Sequence, residues 1–318
     1  MKTMRMTTIP GMAAFAVAAA LCLPPPAPAE GYGVGFQMAE EPVGARLTGM
    51  GAAGTAMPGA GFSYYNPALP LLSDGRYLTL EYGRLYGDVS QALVESAWRF
   101  SGWHVAAAFP TARISNIIPA DERGPDYDLP FSSQFTMLAV SAGYGRGPFG
   151  AAVCLNGMQD RIETRTGYAL TGSAGATLWV IPSKLSVGGA GFFAKTLTAT
   201  RGMLDGGEGA RPPRTARLGA AWRDSLRTVP YAAALDVVYA HDLRAFYVPV
   251  GVEVWPLRML ALRAGKRINH DTELFSFGCG LKFAPVACDA GFVVSRFVDD
   301  AGFKWLIGLT YLVDGGGR

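Results

Sequence analysis

The sequence is poor in charge, in histidine and in long apolar runs, and each shortage excludes something. Asp, Glu, Lys and Arg make up 17% of its 318 residues, against about 25% in an ordinary soluble domain. The formal charge is +3 and includes Lys2 and Arg5 at the extreme N-terminus. The body of the chain is therefore near neutral and offers no basic surface for nucleic acid. Beyond the leader no stretch approaches the roughly 18 uninterrupted apolar residues of a membrane-spanning helix, which excludes a helical membrane protein. The three histidines, His104, His241 and His270, stand in no H-x-x-x-H spacing, and no C-x-x-C occurs, so no metal site is expected. A barrel hydrolase needs a serine and a histidine held together near the membrane surface. His104 with Ser96 or Ser101 is the available pair, and no G-x-S-x-G frame supports it. Neither catalysis nor a cofactor is expected.

Cysteine is scarce too. Cys22 falls in the leader behind Leu21, where lipid attachment requires a small residue. That leaves Cys154, Cys279 and Cys288, an odd number, so at least one thiol is unpaired or intermolecular. Cys279 and Cys288 lie on neighbouring predicted strands and are placed either to pair or to serve as small apolar strand residues.

What is present begins with an export leader. Lys2 and Arg5 give a positive start, Gly11 to Leu23 is apolar, and Ala27-Pro28-Ala29 forms an A-x-A cleavage site before Glu30. Residues 1–29 are thus expected to be a cleavable signal peptide. Half of the sequence is hydrophobic and 41 residues are glycine. Low charge without long apolar runs fits membrane strands, in which only every second residue meets lipid.

From Arg76 onward the sequence alternates with the period of a strand. In Gln91 to Phe100, Ala92, Val94, Trp98 and Phe100 share one face, with Gln91, Glu95 and Arg99 on the other. Phe246, Val248, Val250, Val252 and Val254 form an apolar face, as do Trp305, Ile307, Leu309, Tyr311 and Val313. Fourteen such strands are predicted: 76–86, 91–100, 102–109, 133–144, 148–157, 166–181, 185–197, 214–223, 230–241, 244–255, 259–267, 272–283, 286–297 and 303–313. Most are near the 9–11 residues, roughly, that a tilted membrane strand requires. Gaps after even strands are short, with Asp224 to Val229 the weak exception. The longest follow odd strands, Pro110 to Ser132 and Ala199 to Arg214. Barrels of the bacterial outer membrane show this asymmetry. Trp98, Trp103, Trp222, Trp255 and Trp305 lie near strand ends, where aromatic girdles form. The expected fold is all-β, a fourteen-stranded antiparallel transmembrane β-barrel with a short N-terminal helical hatch segment. Residues 30–75 form the plug, 76–313 the barrel and 314–318 a tail. Outer-membrane barrels commonly finish on an aromatic residue, and here the chain runs past Tyr311-Leu312-Val313 into that tail.

The plug segment is rich in Gly and Ala, and Gly44 to Met57 is expected to contain a short helix. Gly49-Met50-Gly51-Ala52-Ala53-Gly54 matches a dinucleotide fingerprint, G-x-G-x-x-G. That motif needs a strand before it and a βαβ unit around it. Glu40 to Gly44 is no strand, and Tyr64-Tyr65-Asn66-Pro67 breaks any crossover helix, so the match is a decoy. Small residues let a helix pack tightly inside a barrel, and Asn66-Pro67 favours a turn.

Gly44-Ala45-Arg46-Leu47-Thr48-Gly49-Met50-Gly51-Ala52-Ala53-Gly54-Thr55-Ala56, followed by Tyr64-Tyr65-Asn66-Pro67-Ala68, resembles the opening of the PorV/PorQ group of outer-membrane proteins. That group is similar in turn to the FadL-type transporters of long-chain fatty acids. The motif covers roughly 25 residues, with Tyr65 where Trp is commoner. The resemblance implies a fourteen-stranded barrel of the Gram-negative outer membrane. It also implies a hatch role for Gly49, Gly51, Asn66, Pro67 and Ala68.

Polar members of the alternation are the candidate lumen residues: Glu81, Glu95, Arg99, Arg217, Asp236, Arg263 and Arg267, with Lys282 and Asp289. Opposite charges in a narrow barrel are expected to pair and fill it. The loop Ala112 to Asp128 mixes isoleucines with acids and could dock a partner, gate a ligand or, by default, simply be solvated. Two functions follow. The PorV/PorQ resemblance implies a non-enzymatic part of a type IX-like secretion or surface-assembly system, with secretion or exported proteins as partners in the outer-membrane lipid. The FadL resemblance implies instead a transporter of hydrophobic small molecules. Such a transporter should show an apolar inner pocket and a strand kink opening to lipid, for which Gly188-Gly189, Gly278 and Gly280 are candidates.

Overall fold

A computed structural model describes residues 36–39, 41, 43–59, 63, 65–73, 76–85, 89–118, 120–121, 124–125, 130–163, 165–199, 212–241, 244–270, 273–297 and 300–313. The leader and the tail lie outside the described residues, as do Tyr64 and most of the predicted loop from Ala199 to Arg214. The barrel strands are β1 (Tyr77–Arg84), β2 (Val89–Phe100), β3 (Trp103–Ile117), β4 (Phe131–Arg146), β5 (Phe149–Ile162), β6 (Arg165–Ile181) and β7 (Leu185–Ala199). They continue as β8 (Thr215–Leu226), β9 (Val229–Ala240), β10 (Ala245–Leu257), β11 (Leu260–Ile268), β12 (Glu273–Phe283), β13 (Val286–Phe297) and β14 (Asp300–Leu312). Each pairs antiparallel with its sequence neighbour. The ring closes where β1 pairs β14, Tyr77 opposite Leu312 through Arg84 opposite Trp305. Closure satisfies every edge, which lipid demands of a β-structure.

Side-chain alternation sorts the wall. Leu78, Leu80, Val94, Val153, Leu218, Leu235, Val252, Leu262, Ile307 and Leu309 face outward and exposed. Their strand neighbours Thr79, Glu95, Asn156, Arg217, Asp236, Glu253, Arg263 and Thr310 are buried inside. A soluble sandwich would bury the apolar set. This arrangement inverts that rule, as a barrel solvated by lipid must. Trp98, Trp103, Trp222 and Trp255 gather at the end of the short turns, and Trp305 lies in the opposite half. Trp103 packs on Tyr144 with ring centres 5.0 Å apart.

Several predicted boundaries move. The long gap from Pro110 to Ser132 shrinks, because β3 runs on to Ile117 and β4 begins at Phe131. Pro110 reads as a strand stop. In the fold the ladder to β2 passes through it, and the ladder to β4 skips from Ala108 to Thr111, so its missing N–H is tolerated. A two-residue ladder, Ala120–Asp121 on Gly124–Pro125, decorates the connection that follows. The weak exception after β8 disappears: Asp224 to Leu226 belong to the strand and the turn is Arg227-Thr228 alone. Lys184 bonds Asp224 across that end at 3.0 Å. The cysteines do not pair. Cys279 lies opposite Ala290 and Cys288 opposite Leu281, both exposed on the outer face, while Cys154 is buried inside.

Candidate functional site: the plugged lumen

The described residues between Phe36 and Ser73 lie largely buried within the ring of strands. Their helix, α1 (Ala45–Gly49), is shorter than the sequence suggests. The chain turns immediately after it, with Gly51 and Ala52 both at φ 64. Met50 donates to Leu47 at 2.9 Å, and Ala52 donates to the same carbonyl at 2.9 Å. The reason for the turn is the wall. A Cβ on Gly51 would stand 2.5 Å from the Lys266 nitrogen and 2.8 Å from the Val250 carbonyl oxygen. A Cβ on Gly49 would stand 3.0 Å from Cα of Gly278. Gly49 and Gly51 of the decoy fingerprint are therefore close-approach residues between plug and barrel, while Gly54 makes room for Leu47 within the plug.

Asn66 knots the second half of the plug. Fully buried, its side-chain amide donates to the carbonyls of Thr55 at 2.9 Å and of Ala176 on β6 at 3.2 Å. Its Oδ1 accepts from the Ala68 N–H at 3.0 Å, and its backbone carbonyl accepts from Leu69 at 2.9 Å. Pro67 then leads into a single 3-10 turn over Leu69–Leu72. Asn, Pro and Ala thus stand at one joint that ties two stretches of the plug to one wall strand.

The wall answers with charge. Asp236 Oδ2 accepts from the backbone of Gly54 (2.8 Å) and of Thr55 (2.9 Å), and from the Thr55 hydroxyl (2.8 Å). Glu81 accepts from Ala45 at the start of α1 at 3.0 Å. Glu95 accepts from Ser63 at 3.2 Å and from the Tyr77 hydroxyl at 2.6 Å. Arg99 donates to the Ser73 carbonyl at 3.1 Å. Arg217 lies over the Tyr65 ring, 4.6 Å from its centre. Arg267 bonds His270 at 3.2 Å and lies 5.9 Å from the Tyr247 ring centre.

Arg263 belongs to a chain of buried ions. Arg46 of the plug forks onto Glu253 (2.9 and 2.7 Å). Glu253 also accepts from Arg263 at 2.7 Å, and Arg263 reaches Asp289 at 2.7 Å. Lys304 bonds Glu41 at 2.9 Å. Burial alone would raise the Glu41 carboxyl, and the positive charges of Lys304 and Arg267 outweigh it, holding the group below its ordinary range.

Sequence reasoning missed Glu253 and Lys304, although both alternate with outward apolar residues, Val252 and Val254 in one case and Phe303 and Trp305 in the other. Lys282 is exposed at the short-turn end. The glycines read as kinks have another use. A Cβ on Gly188 would meet the Thr55 carbonyl at 2.6 Å, and one on Gly278 would meet Gly49 at 3.1 Å. Both make room for the plug. Irregular register in the β6–β7 pairing falls on both sides of Gly188-Gly189, between Leu170 and Ala174 and between Trp179 and Ile181. Among the described residues no cluster of His, Cys, Asp or Glu could hold a metal.

The rest of the lumen mixes buried polar residues such as Gln91, His104, Ser141, Asn156 and Thr171 with an apolar cluster. Phe36, Val43, Leu47, Met50, Met57, Tyr65 and Leu69 of the plug join Leu93, Phe135, Met137, Met158 and Phe192 of the wall in one buried cluster. The N–H of Phe36 is held there by Asp160 at 3.3 Å.

This architecture is that of a closed fourteen-stranded membrane β-barrel with its described N-terminal residues packed inside the ring of strands. Its likeness to solved barrels is specific. The chain matches two crystal structures of the Pseudomonas putida toluene transporter TodX. TM-scores are 0.60 and 0.58, with 14% and 13% identity over 85% of this chain and 98% and 97% of theirs. A TodX variant described as a monoaromatic hydrocarbon channel matches at 0.58 and 13%, over 85% of this chain and 98% of its own. At such identities the likeness concerns the fold. No protein-family model matches the sequence, and no curated protein does.

Proposed function

We propose that the protein is an outer-membrane channel for hydrophobic small molecules, opened by displacement of its plug. The observation that carries this reading is the lining of the lumen. A general porin keeps its interior polar and water-filled, whereas here Leu93, Phe135, Met137, Met158 and Phe192 turn inward beside the plug and are buried with it. An apolar patch of lumen beside the plug suits a solute that partitions out of water. TodX, the barrel it resembles, is a toluene transporter, and a monoaromatic hydrocarbon is the ligand class to try first. In this proposal the short connections face the periplasm and the long ones the outside, as the turn asymmetry of bacterial barrels suggests. The reading assigns no chemistry to the lumen.

The secretion reading rests on the motif from Ala45 to Ala68. Those residues have a sufficient role in closing the lumen, which any plugged barrel needs, so the motif supports the hatch more than a partner. Purification in detergent, followed by mass spectrometry of what accompanies the protein, separates the two. Lipophilic small molecules in the lumen, and toluene uptake by proteoliposomes, are expected. Secretion proteins with an impermeant barrel would overturn the channel reading.

A further inference from the structure

The outer face of the barrel is not uniformly convex. A depression of about 610 Å³ crosses β8 to β11. It forms where the outward positions carry alanine, at Ala220, Ala233 and Ala264, between the larger Trp222, Leu235 and Val252. The wall beneath is thin, since Gly251 and Gly265 face inward without side chains. Behind them lies plug backbone: a Cβ on either glycine would collide with Met50.

Lys266 lines the same depression. It occupies an outward, exposed position between Ala264 and Ile268, opposite Val250 in the middle of β10. Lys266 stands two residues before the end of β11, as Asp224 stands two before the end of β8, while Arg84 and Arg146 close their strands. Among the described residues Lys266 forms no ion pair, and Asp224 is already engaged by Lys184. A cation facing lipid is costly at depth and cheap near the headgroups, towards which a lysine stem extends. The cost falls further where an anionic headgroup comes to meet it.

We propose that this depression binds an anionic phospholipid of the surrounding bilayer, one acyl chain lying along Ala220, Ala233 and Ala264 and the phosphate pairing with Lys266. The trough opens to the bilayer, so its occupant carries a chain. The one charge at its rim is positive, so its head carries an anion. The site does not depend on what passes through the lumen.

Trp222 lines the trough and reports on it. The experiment uses the full protein in phosphatidylcholine nanodiscs holding a minor fraction of chain-brominated lipid, either phosphatidylglycerol or phosphatidylcholine. The Trp222 signal is the quenching seen in the wild type and absent in Trp222→Phe. Brominated phosphatidylglycerol is expected to quench it several-fold more effectively than brominated phosphatidylcholine, the order expected for one lysine at an anionic headgroup. Lys266→Gln should abolish that preference and Lys266→Arg should retain it. Lys266→Gln removes an exposed charge with no protein partner, so folding is not at issue. Equal quenching by the two lipids, or a preference that survives Lys266→Gln, overturns the site.

Discussion

Asp236 holds Thr55 by two atoms of the same residue. The carboxylate Oδ2 accepts the Thr55 backbone N–H at 2.9 Å and its hydroxyl at 2.8 Å, with the Gly54 N–H added at 2.8 Å. A side chain of β9 thereby caps a turn that begins the second half of the plug. Hydrogen bonds to a charged group contribute about 1.5–3 kcal/mol each when isolated, and these three share one oxygen.

Asp236→Ala should therefore free the turn without opening the wall. The expected result is faster amide exchange at Gly54 and Thr55, by about tenfold or more, for a local loss of at least ~1.4 kcal/mol. Heat-modifiable gel mobility should show the barrel still folded. Unchanged exchange at both amides would mean that Asn66 alone fixes the joint.

The Glu253 network makes a sharper demand. Removing the carboxylate leaves half-buried Arg46 without its partner and buried Arg263 with Asp289 alone, a change that costs up to about 3 kcal/mol. Removing Arg46 leaves Glu253 still paired with Arg263 at 2.7 Å. Glu253→Gln should lower the temperature at which the barrel loses its folded gel mobility, and Arg46→Met should lower it less. The reverse order would place the stabilisation in the plug ion rather than in the wall.

The strands could be read from the sequence because alternation is local. Val248, Val250, Val252 and Val254 announce an outward face without reference to any other strand, and the chain beyond Arg76 repeats that signal. Pro110 misled because a proline halts a strand only where the neighbour on its N–H side needs that donor, and the β4 ladder skips it. The plug is another matter. Asn66 meets Ala176 across 110 positions, and Arg46 meets Glu253 across 207. Nothing near Glu253 in sequence suggests a partner, so one acid among valines attracts no notice. The G-x-G pair at Gly49 and Gly51 was visible as a motif, and its meaning, contact with wall glycines and backbone, needed the fold.

Two glycines with nearly the same backbone test that meaning. Gly51 and Gly147 have φ of 64 and 61. A Cβ at Gly147 meets nothing within 4 Å, whereas one at Gly51 meets Lys266 and Val250 at 2.5 and 2.8 Å. Gly147→Ala should cost only the left-handed backbone term, about 1–2 kcal/mol. Gly51→Ala adds a backbone collision and should drive the plug from its seat. Planar-bilayer recordings should show raised conductance for Gly51→Ala and none for Gly147→Ala. Equal behaviour would mean that the turn, and not its contact with the wall, keeps the lumen shut.

The Glu41–Lys304 tie should make the first part of the plug sensitive to acid. The Glu41 carboxyl is held below its ordinary value by Lys304 and Arg267, against the opposing effect of burial. A carboxyl lowered in the folded state stabilises above its unfolded value, and the contribution fades as pH falls through the folded one. The tie should accordingly be intact at neutral pH and weaken progressively below about pH 4.3, the ordinary glutamate value. Amide exchange around Phe36 to Glu41, compared between neutral and acidic buffers, should rise in acid in the wild type. In Glu41→Gln it should be raised already at neutral pH and change little on acidification. An acid response that persists in Glu41→Gln would assign it to another carboxylate, with Asp160, which holds the Phe36 N–H at 3.3 Å, the next to substitute.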